Sequence, residues 1–350
     1  MEIAFRWYGD QDSIPLKYIK QIPKVTGIVS ALYDVAVGDI WPIEKLKSLK
    51  KKIEVEGLKF SVIESIPVHE DIKLGRSHRD LLIDNYCQNI RNMSSLGIEI
   101  LCYNFMPVFD WVRTDLATTY PNGSNSLSYD NSKLKAIDFK KIALDLPGWA
   151  AHYTKEELQN YLNAYSEVDN ETLWLNLEYF LKKVIPIAEE FGVKMAIHPD
   201  DPPWSIFGLP RIITDEAALD RLIKIIDSPS NGITFCTGSF GANLKMDVVK
   251  AIRKFASINR IPFVHFRNVK HIEGKTFYES KHPTEFGDVN MYEVVKALID
   301  VKFDGIIRPD HGRMIWGEKG RPGYGLYDRA LGVMYLVGLW EGISKSLRNH

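Results

Sequence analysis

The sequence predicts an α/β protein: a (β/α)8 TIM barrel with a mostly helical insertion after strand 4. Three observations predict it. Eight short apolar runs alternate with amphipathic stretches, the rhythm of parallel βα units. Polar residues follow directly on the later runs, at the strand ends where α/β barrels carry their reactive groups. No glycine-rich phosphate fingerprint follows the first run, which argues against the runner-up, a doubly wound open sheet.

The first apolar run covers residues 3–8 and the second 27–33. A helix over about 41–57 follows, with proline near its first turn and glycine at its end. The third run is 60–63, and a helix over about 77–96 precedes Gly97 and the fourth run, 98–103. The rhythm then breaks. Residues from about 110 to 170 are rich in Asn, Ser, Asp and Tyr, with helical patches at 132–144 and 154–165. That is too long for an ordinary βα loop and reads as an insertion on the face where the fourth strand ends, either a lid or a decorative or dimer-forming excursion. The rhythm resumes with a helix at 172–191 and a run at 193–197. Helices at 216–226, 246–255 and 291–300 then lead to runs at 233–235, 263–266 and 305–307, and a helix over 327–347 closes the chain.

The 350 residues are 45% hydrophobic and 25% charged, which gives ample material for one barrel domain over 1–350 with the 110–170 insertion inside it. A net charge of −1 offers no basic field for nucleic acid. No apolar run reaches the roughly 18 residues that suggest a membrane span. The opening MEIAFRWYGDQD lacks a basic segment followed by an apolar one, so no secretory signal is expected. Cys87, Cys102 and Cys236 are odd in number and widely spaced, which does not suit a disulfide framework. A reducing cytoplasm is the expectation, and any special cysteine is then a ligand or a nucleophile. Cys87, in a helix, and Cys102, inside a strand, read as structural.

Four residues stand at the ends of runs five to eight: His198 in MAIHPDD, Cys236 in ITFCTG, His265 in FVHFRN and Asp310 in IIRPDHG. A lone histidine there is more often simply hydrogen-bonded, and a lone buried cysteine is usually a small hydrophobe. The shared register changes the balance. Consecutive strands are neighbours in a barrel, so the four ends converge on a site for a divalent metal. Two histidines and a cysteine suit Zn²⁺, whereas an aspartate with open water positions suits Mn²⁺ or Fe²⁺. His311 follows Asp310 and can exchange protons near neutral pH. Tyr324, in the glycine-flanked RPGYG loop, can fold over the site, with Tyr327 as the alternative. Arg6, Arg267, Arg308 and Arg313 lie at or near strand ends, where a guanidinium fork fits a carboxylate; the other reading of each is a salt bridge across the rim. Asn104 and Glu64 end strands four and three, and His69 and Glu70 follow strand three; all four are candidates to orient substrate.

The strings FRWYG, ALYDVAVGDIWP, SVIESIPVHEDIKLG, CYNFMPVFDW, AIHPDDPPW, FCTGSFGA, HFRNV and RPDHGR with GRPGYGLYDRALG run from residue 5 to 332. Together they resemble the D-mannonate dehydratase family, which is similar to xylose isomerase-like TIM barrels. The resemblance implies loss of water from D-mannonate to give 2-dehydro-3-deoxy-D-gluconate, in hexuronate breakdown, with Mn²⁺ or Fe²⁺ as cofactor. It implies metal ligands at His198, Cys236, His265 and Asp310, and proton transfer by His311 and Tyr324. Arg6, Arg267, Arg313 and Asn104 are the expected contacts to a small sugar acid. A cytoplasmic homo-oligomer, a dimer, with neither nucleic acid nor membrane as partner, completes the expectation. The competing readings are a sugar isomerase or epimerase of the same barrel class, which would want a carboxylate-rich metal site, and a barrel that binds a ligand without turning it over.

Overall fold

The computed structural model describes residues 1–135 and 154–348. In chain order the strands are β1 (Glu2–Arg6), β2 (Val25–Ser30), β3 (Lys59–Glu64), β4 (Ile100–Tyr103), β5 (Asp115–Thr119), β6 (Asn125–Asp130), β7 (Lys194–Ile197), β8 (Asn231–Cys236), β9 (Phe263–Phe266), β10 (Val269–His271), β11 (Thr276–Glu279) and β12 (Ile306–Pro309). Eight of them close a barrel in the order β1-β2-β3-β4-β7-β8-β9-β12, with β12 returning to β1 and every pair parallel. The predicted fold class is therefore the observed one.

The barrel strands read as continuous apolar runs because both of their faces are buried. Ala4, Val29, Val62, Cys102, Phe263 and Ile306 pack together in one cluster. Their chain neighbours Phe5, Ile28, Ile63, Leu101, Val264 and Ile307 join the larger cluster containing helix residues such as Leu46, Ile53, Phe180 and Phe255. The strand period of two thus divides each run between barrel interior and helix layer. Each fully buried Leu, Ile or Phe contributes roughly 1.5–3 kcal/mol.

The helices fall at Ile43–Val55, Arg79–Ser95, Asn170–Glu190, Glu216–Ile225, Val248–Ser257, Met291–Asp300 and Leu326–Arg348. Several starts are fixed by Asp or Asn: the side chains of Asp169, Asp215, Asp247 and Asn290 each accept a backbone N–H at the helix start. Such a cap is worth about 1 kcal/mol. Cys87 and Cys102 are buried within a helix and a strand respectively, and all three cysteines are free thiols.

The insertion carries the expected helix at Lys155–Tyr165 but also strands that were not predicted. Its described part is led by an antiparallel hairpin of β5 and β6, joined by β10 and β11 into a four-stranded sheet ordered β10-β11-β6-β5. Helices flank a stretch outside the described residues, at Asn131–Lys135 and Lys155–Tyr165. Most of the predicted 132–144 helix lies outside the described residues. The hairpin forms because NSLSYD alternates polar and apolar residues, setting Tyr129 into an apolar cluster while Ser126 is buried against Tyr120 and Glu279. Its turn carries Asn122-Gly123, with Gly123 at φ +81°.

Candidate active site and metal centre

The strand period that fills the barrel interior also aims the site. Ala4, Val62, Cys102, Phe263 and Ile306 face inward, so Arg6, Glu64, Asn104, His265 and Arg308, each two residues later, face the same way at the C-terminal mouth. His198 and Asp310 lie just past β7 and β12, where the ladder continues by one bond: His198 N donates to Tyr103 O and Asp310 N to Phe266 O. Register sets Cys236 beside His265, and His265 beside Arg308.

The four predicted ligands meet. Donor atoms of His198, Cys236 and His265 all lie within 4.8 Å of one another. Asp310 Oδ2 is 3.6 Å from His265 Nδ1. His198 Nδ1 faces its own chain, 2.7 Å from Pro199 O, and so donates there and leaves Nε2 bare. His265 turns Nε2 toward Glu64 Oε2 at 3.3 Å, leaving Nδ1 bare. The two bare nitrogens stand 3.2 Å apart. Burial alone would push the Cys236 thiol up, but the Arg267 guanidinium beside it, with His198 and His265 as neighbours, holds it well below the usual thiol range. Burial likewise opposes ionisation of Asp310, and Arg308, His311, His265 and Arg267 outweigh it. Asp310 Oδ1 is buried and makes no hydrogen bond among the described residues, although Arg308 Nη1 is 2.8 Å away. Two facing imidazole lone pairs, a thiolate and a carboxylate form a donor set that fits a divalent cation. A second group, Glu64, Cys102 and His265, fits less well, because Arg6 and Arg308 already neutralise Glu64 at 3.1 and 2.9 Å.

His311 and Tyr324 form a buried pair, with His311 Nε2 2.8 Å from the tyrosine hydroxyl. Gly323 makes the approach possible: it sits at φ +77°, and a Cβ there would come within 2.5 Å of Leu127 Cδ1. Tyr8 meets Tyr324 edge-on at 5.0 Å, and burial pushes the Tyr324 phenol well above its usual range. Tyr327, the alternative, is half-exposed against Trp316 and lies outside the cavity lining.

His198, His265, Asp310, His311, Tyr324, Arg6 and Asn104 all line one cavity of about 560 Å³. Two predicted substrate contacts do not. Arg313 is bound to Asp328, at 2.6 Å, because its position beyond the strand no longer follows the inward alternation. Arg267 is fully buried behind the ligands, bound to Asp201 at 2.9 Å, Glu279 at 2.5 Å, Ser239 at 2.8 Å and Cys236 Sγ at 3.3 Å. His69 caps the helix Glu70–Lys73, and Glu70 binds Lys73 and Tyr165 in the interior, so neither reaches the cavity. Asn104 reaches the cavity and also donates to Asp110 at 3.0 Å.

Sequence reasoning passed over Tyr8, Tyr33, Trp111, Arg321 and Asp201, which line the cavity, and the buried charges that Asp201 joins. Arg113 binds Asp201 at 2.8 Å and Glu279 at 2.5 Å, and Arg267 binds the same two acids. Asp201 was findable, three residues past His198 in the same HPDD string. Glu279 was not, because nothing local marks a glutamate ending a polar strand as buried.

A family model described as D-mannonate dehydratase (UxuA) matches residues 1–350. The mannonate dehydratase of Streptococcus uberis is 58% identical over 348 residues, covering 99% of this chain and 100% of that protein. Mannonate dehydratase 2 of Halalkalibacterium halodurans is 54% identical over 344 residues, covering 98% of this chain and 100% of that protein. Among solved structures, mannonate dehydratase from Streptococcus suis serotype 2 superposes with a TM-score of 0.92 at 49% identity, over 99% of this chain and 96% of that one. A D-tagatose 3-epimerase-like protein, at TM-score 0.56 and 15% identity, shares the fold alone.

Proposed function

We infer the workings of the site from the premise that this chain belongs to the D-mannonate dehydratase family. It is a hydro-lyase that removes water from D-mannonate to give 2-dehydro-3-deoxy-D-gluconate. The isomerase or epimerase reading is not favoured, since those neighbours share only the barrel. The observation that carries the site assignment is the buried His311–Tyr324 pair opening on the cavity that His198, His265 and Asp310 also line, with Cys236 against those two histidines.

Elimination breaks the C2–H bond next to the carboxylate. The electron pair forms C2=C3 as the C3–O bond breaks, and the leaving hydroxyl takes a proton to depart as water. The enol then loses its C2 hydroxyl proton and gains one at C3, which gives the 2-keto acid. His198, Cys236, His265 and Asp310 would hold Mn²⁺ or Fe²⁺, which when bound supplies a Lewis acid for carboxylate or hydroxyl oxygens. His311 and Tyr324 serve as base and acid across their shared hydrogen bond. Arg6, held at 3.1 Å from Glu64 with Nε and Nη1 free of hydrogen bonds among the described residues, offers its remaining donors to the substrate carboxylate. Asn104 faces the sugar hydroxyls. Arg267 and Arg313, outside the cavity, are left out of substrate binding. We assign the reaction to hexuronate breakdown in the cytoplasm, carried out by a homodimer, in line with the family's chemistry and three free cysteines.

The test strips the protein with chelator, restores Mn²⁺, Fe²⁺, Zn²⁺ or Mg²⁺ singly, and follows 2-keto acid from D-mannonate. Recovery with Mn²⁺ or Fe²⁺ is expected. One bound equivalent with no keto acid would overturn the substrate, and no bound metal would overturn the ligand set.

A further inference from the structure

We propose that Glu279, at the end of β11 in the appended sheet, is a positioning residue that fixes the tautomer of His311. This rests on His311 and Tyr324 being the proton-transfer pair. His311 Nδ1 lies 3.1 Å from Glu279 Oε1 and 3.0 Å from Arg267 Nη1. In one tautomer Nδ1–H donates to the glutamate; in the other a bare Nδ1 accepts from the arginine. Arg267 Nη1 has a closer acceptor, Glu279 Oε1 itself at 2.5 Å. Nη1 has a second N–H, so that bond does not by itself decide the tautomer. A bare Nδ1 would set its lone pair against the buried carboxylate oxygen at 3.1 Å, whereas Nδ1–H donates to it. Nδ1 therefore carries the proton. Nε2 is then bare, and it accepts from the Tyr324 hydroxyl at 2.8 Å.

The glutamate is held rigidly enough to do this. Its side chain is inaccessible to solvent and bound by Arg113 and Arg267. Its backbone oxygen accepts from Ser126 Oγ at 2.8 Å. The Trp111 ring also packs against His311, with the centroids 5.0 Å apart, which further confines the imidazole. The sheet that carries Glu279 lies outside the barrel strands. The barrel thus supplies the metal ligands, and the added sheet orients the proton-transfer histidine.

Glu279→Gln tests this in metal-loaded enzyme. The new amide can donate to Nδ1, which favours the tautomer with Nε2–H directed at Tyr324. Turnover is expected to fall about a hundredfold, within the range for general acid–base groups, with KM within about twofold and one metal equivalent retained. In a His311→Asn background the same change should alter turnover less than about twofold, because the two residues act as one unit. An equal loss in both backgrounds would make Glu279 merely structural and overturn the proposal, as would near-native turnover of Glu279→Gln when His311→Asn alone is inactive. Near-native turnover of His311→Asn would instead remove the proton-transfer reading, and this inference with it. If Glu279→Gln does not fold, Glu279→Asp keeps the charge but withdraws the carboxylate by one methylene. A tenfold or greater loss of turnover with metal retained supports the proposal, and native turnover overturns it.

Discussion

Arg267→Met separates a substrate contact from a buried support. Methionine keeps an unbranched stem and removes the guanidinium. In the native protein that group lies 2.9 Å from Asp201, 2.5 Å from Glu279, 3.4 Å from Asp310 and 3.3 Å from Cys236 Sγ. Its side chain is 1% exposed, so solvent screening is slight. After the change Asp201 and Glu279 share Arg113 alone, and the thiolate loses its cation. Breaking a buried ion pair from one side costs about 3–5 kcal/mol, a large fraction of the roughly 5–15 kcal/mol that holds a typical protein folded. With an unfolding entropy near 2.1 cal/mol/K per residue, a chain of this length should lose about 4–7 °C in Tm. Calorimetry of metal-free protein reads this directly, and kinetics of the loaded form should show a fall in kcat with KM within about threefold. A Tm within about 1 °C of wild type, together with a KM raised tenfold or more, would show Arg267 gripping substrate and would refute the placement argued from burial.

Gly323→Ala should lower kcat with metal retained, since positive φ costs a non-glycine residue roughly 1–2 kcal/mol and the new methyl meets Leu127 Cδ1 at 2.5 Å. Adding Leu127→Ala should recover the steric part only, measured as a partial return of kcat. Arg313→Ala should leave KM within about twofold, because the arginine is spent on Asp328 at 2.6 Å; a tenfold rise in KM would contradict this. Stability should also fall in acid. Burial opposes ionisation of Glu279, but Arg267, Arg113 and His311 hold its carboxyl down at about 2 against an ordinary 4.5. A depressed folded value means the stabilisation is present above pH 4.5 and is lost as pH falls from there toward 2, a contribution of about 3 kcal/mol. Urea midpoints at pH 7 and pH 3 should show it, and Glu279→Gln should flatten the difference.

Much of the site was legible because it depends on local periodicity. His198, Cys236, His265 and Asp310 stand at the ends of apolar runs, and in parallel strands of one barrel the same position along a run means the same place in space. Arg6 and Asn104 obey that rule and line the cavity, whereas Arg313 lies beyond the strand and does not. The hairpin of β5 and β6 was also written locally, in alternating NSLSYD beside Asn122-Gly123. Its polar composition outweighed that signal, and β11 was missed in the same way.

The sequence by itself determined the barrel, the convergence of four donor side chains and the His311–Tyr324 neighbourhood, since strand and helix periods dictate which side chains share a face. Only the tertiary structure decided what each buried charge does. Arg113 meets Glu279 across 166 positions, and Arg308 meets Glu64 across 244. An arginine at a strand end can grip a substrate or neutralise an acid. The choice depends on which carboxylate comes within about 3 Å in a low-dielectric interior, where an unpaired charge is too costly to keep.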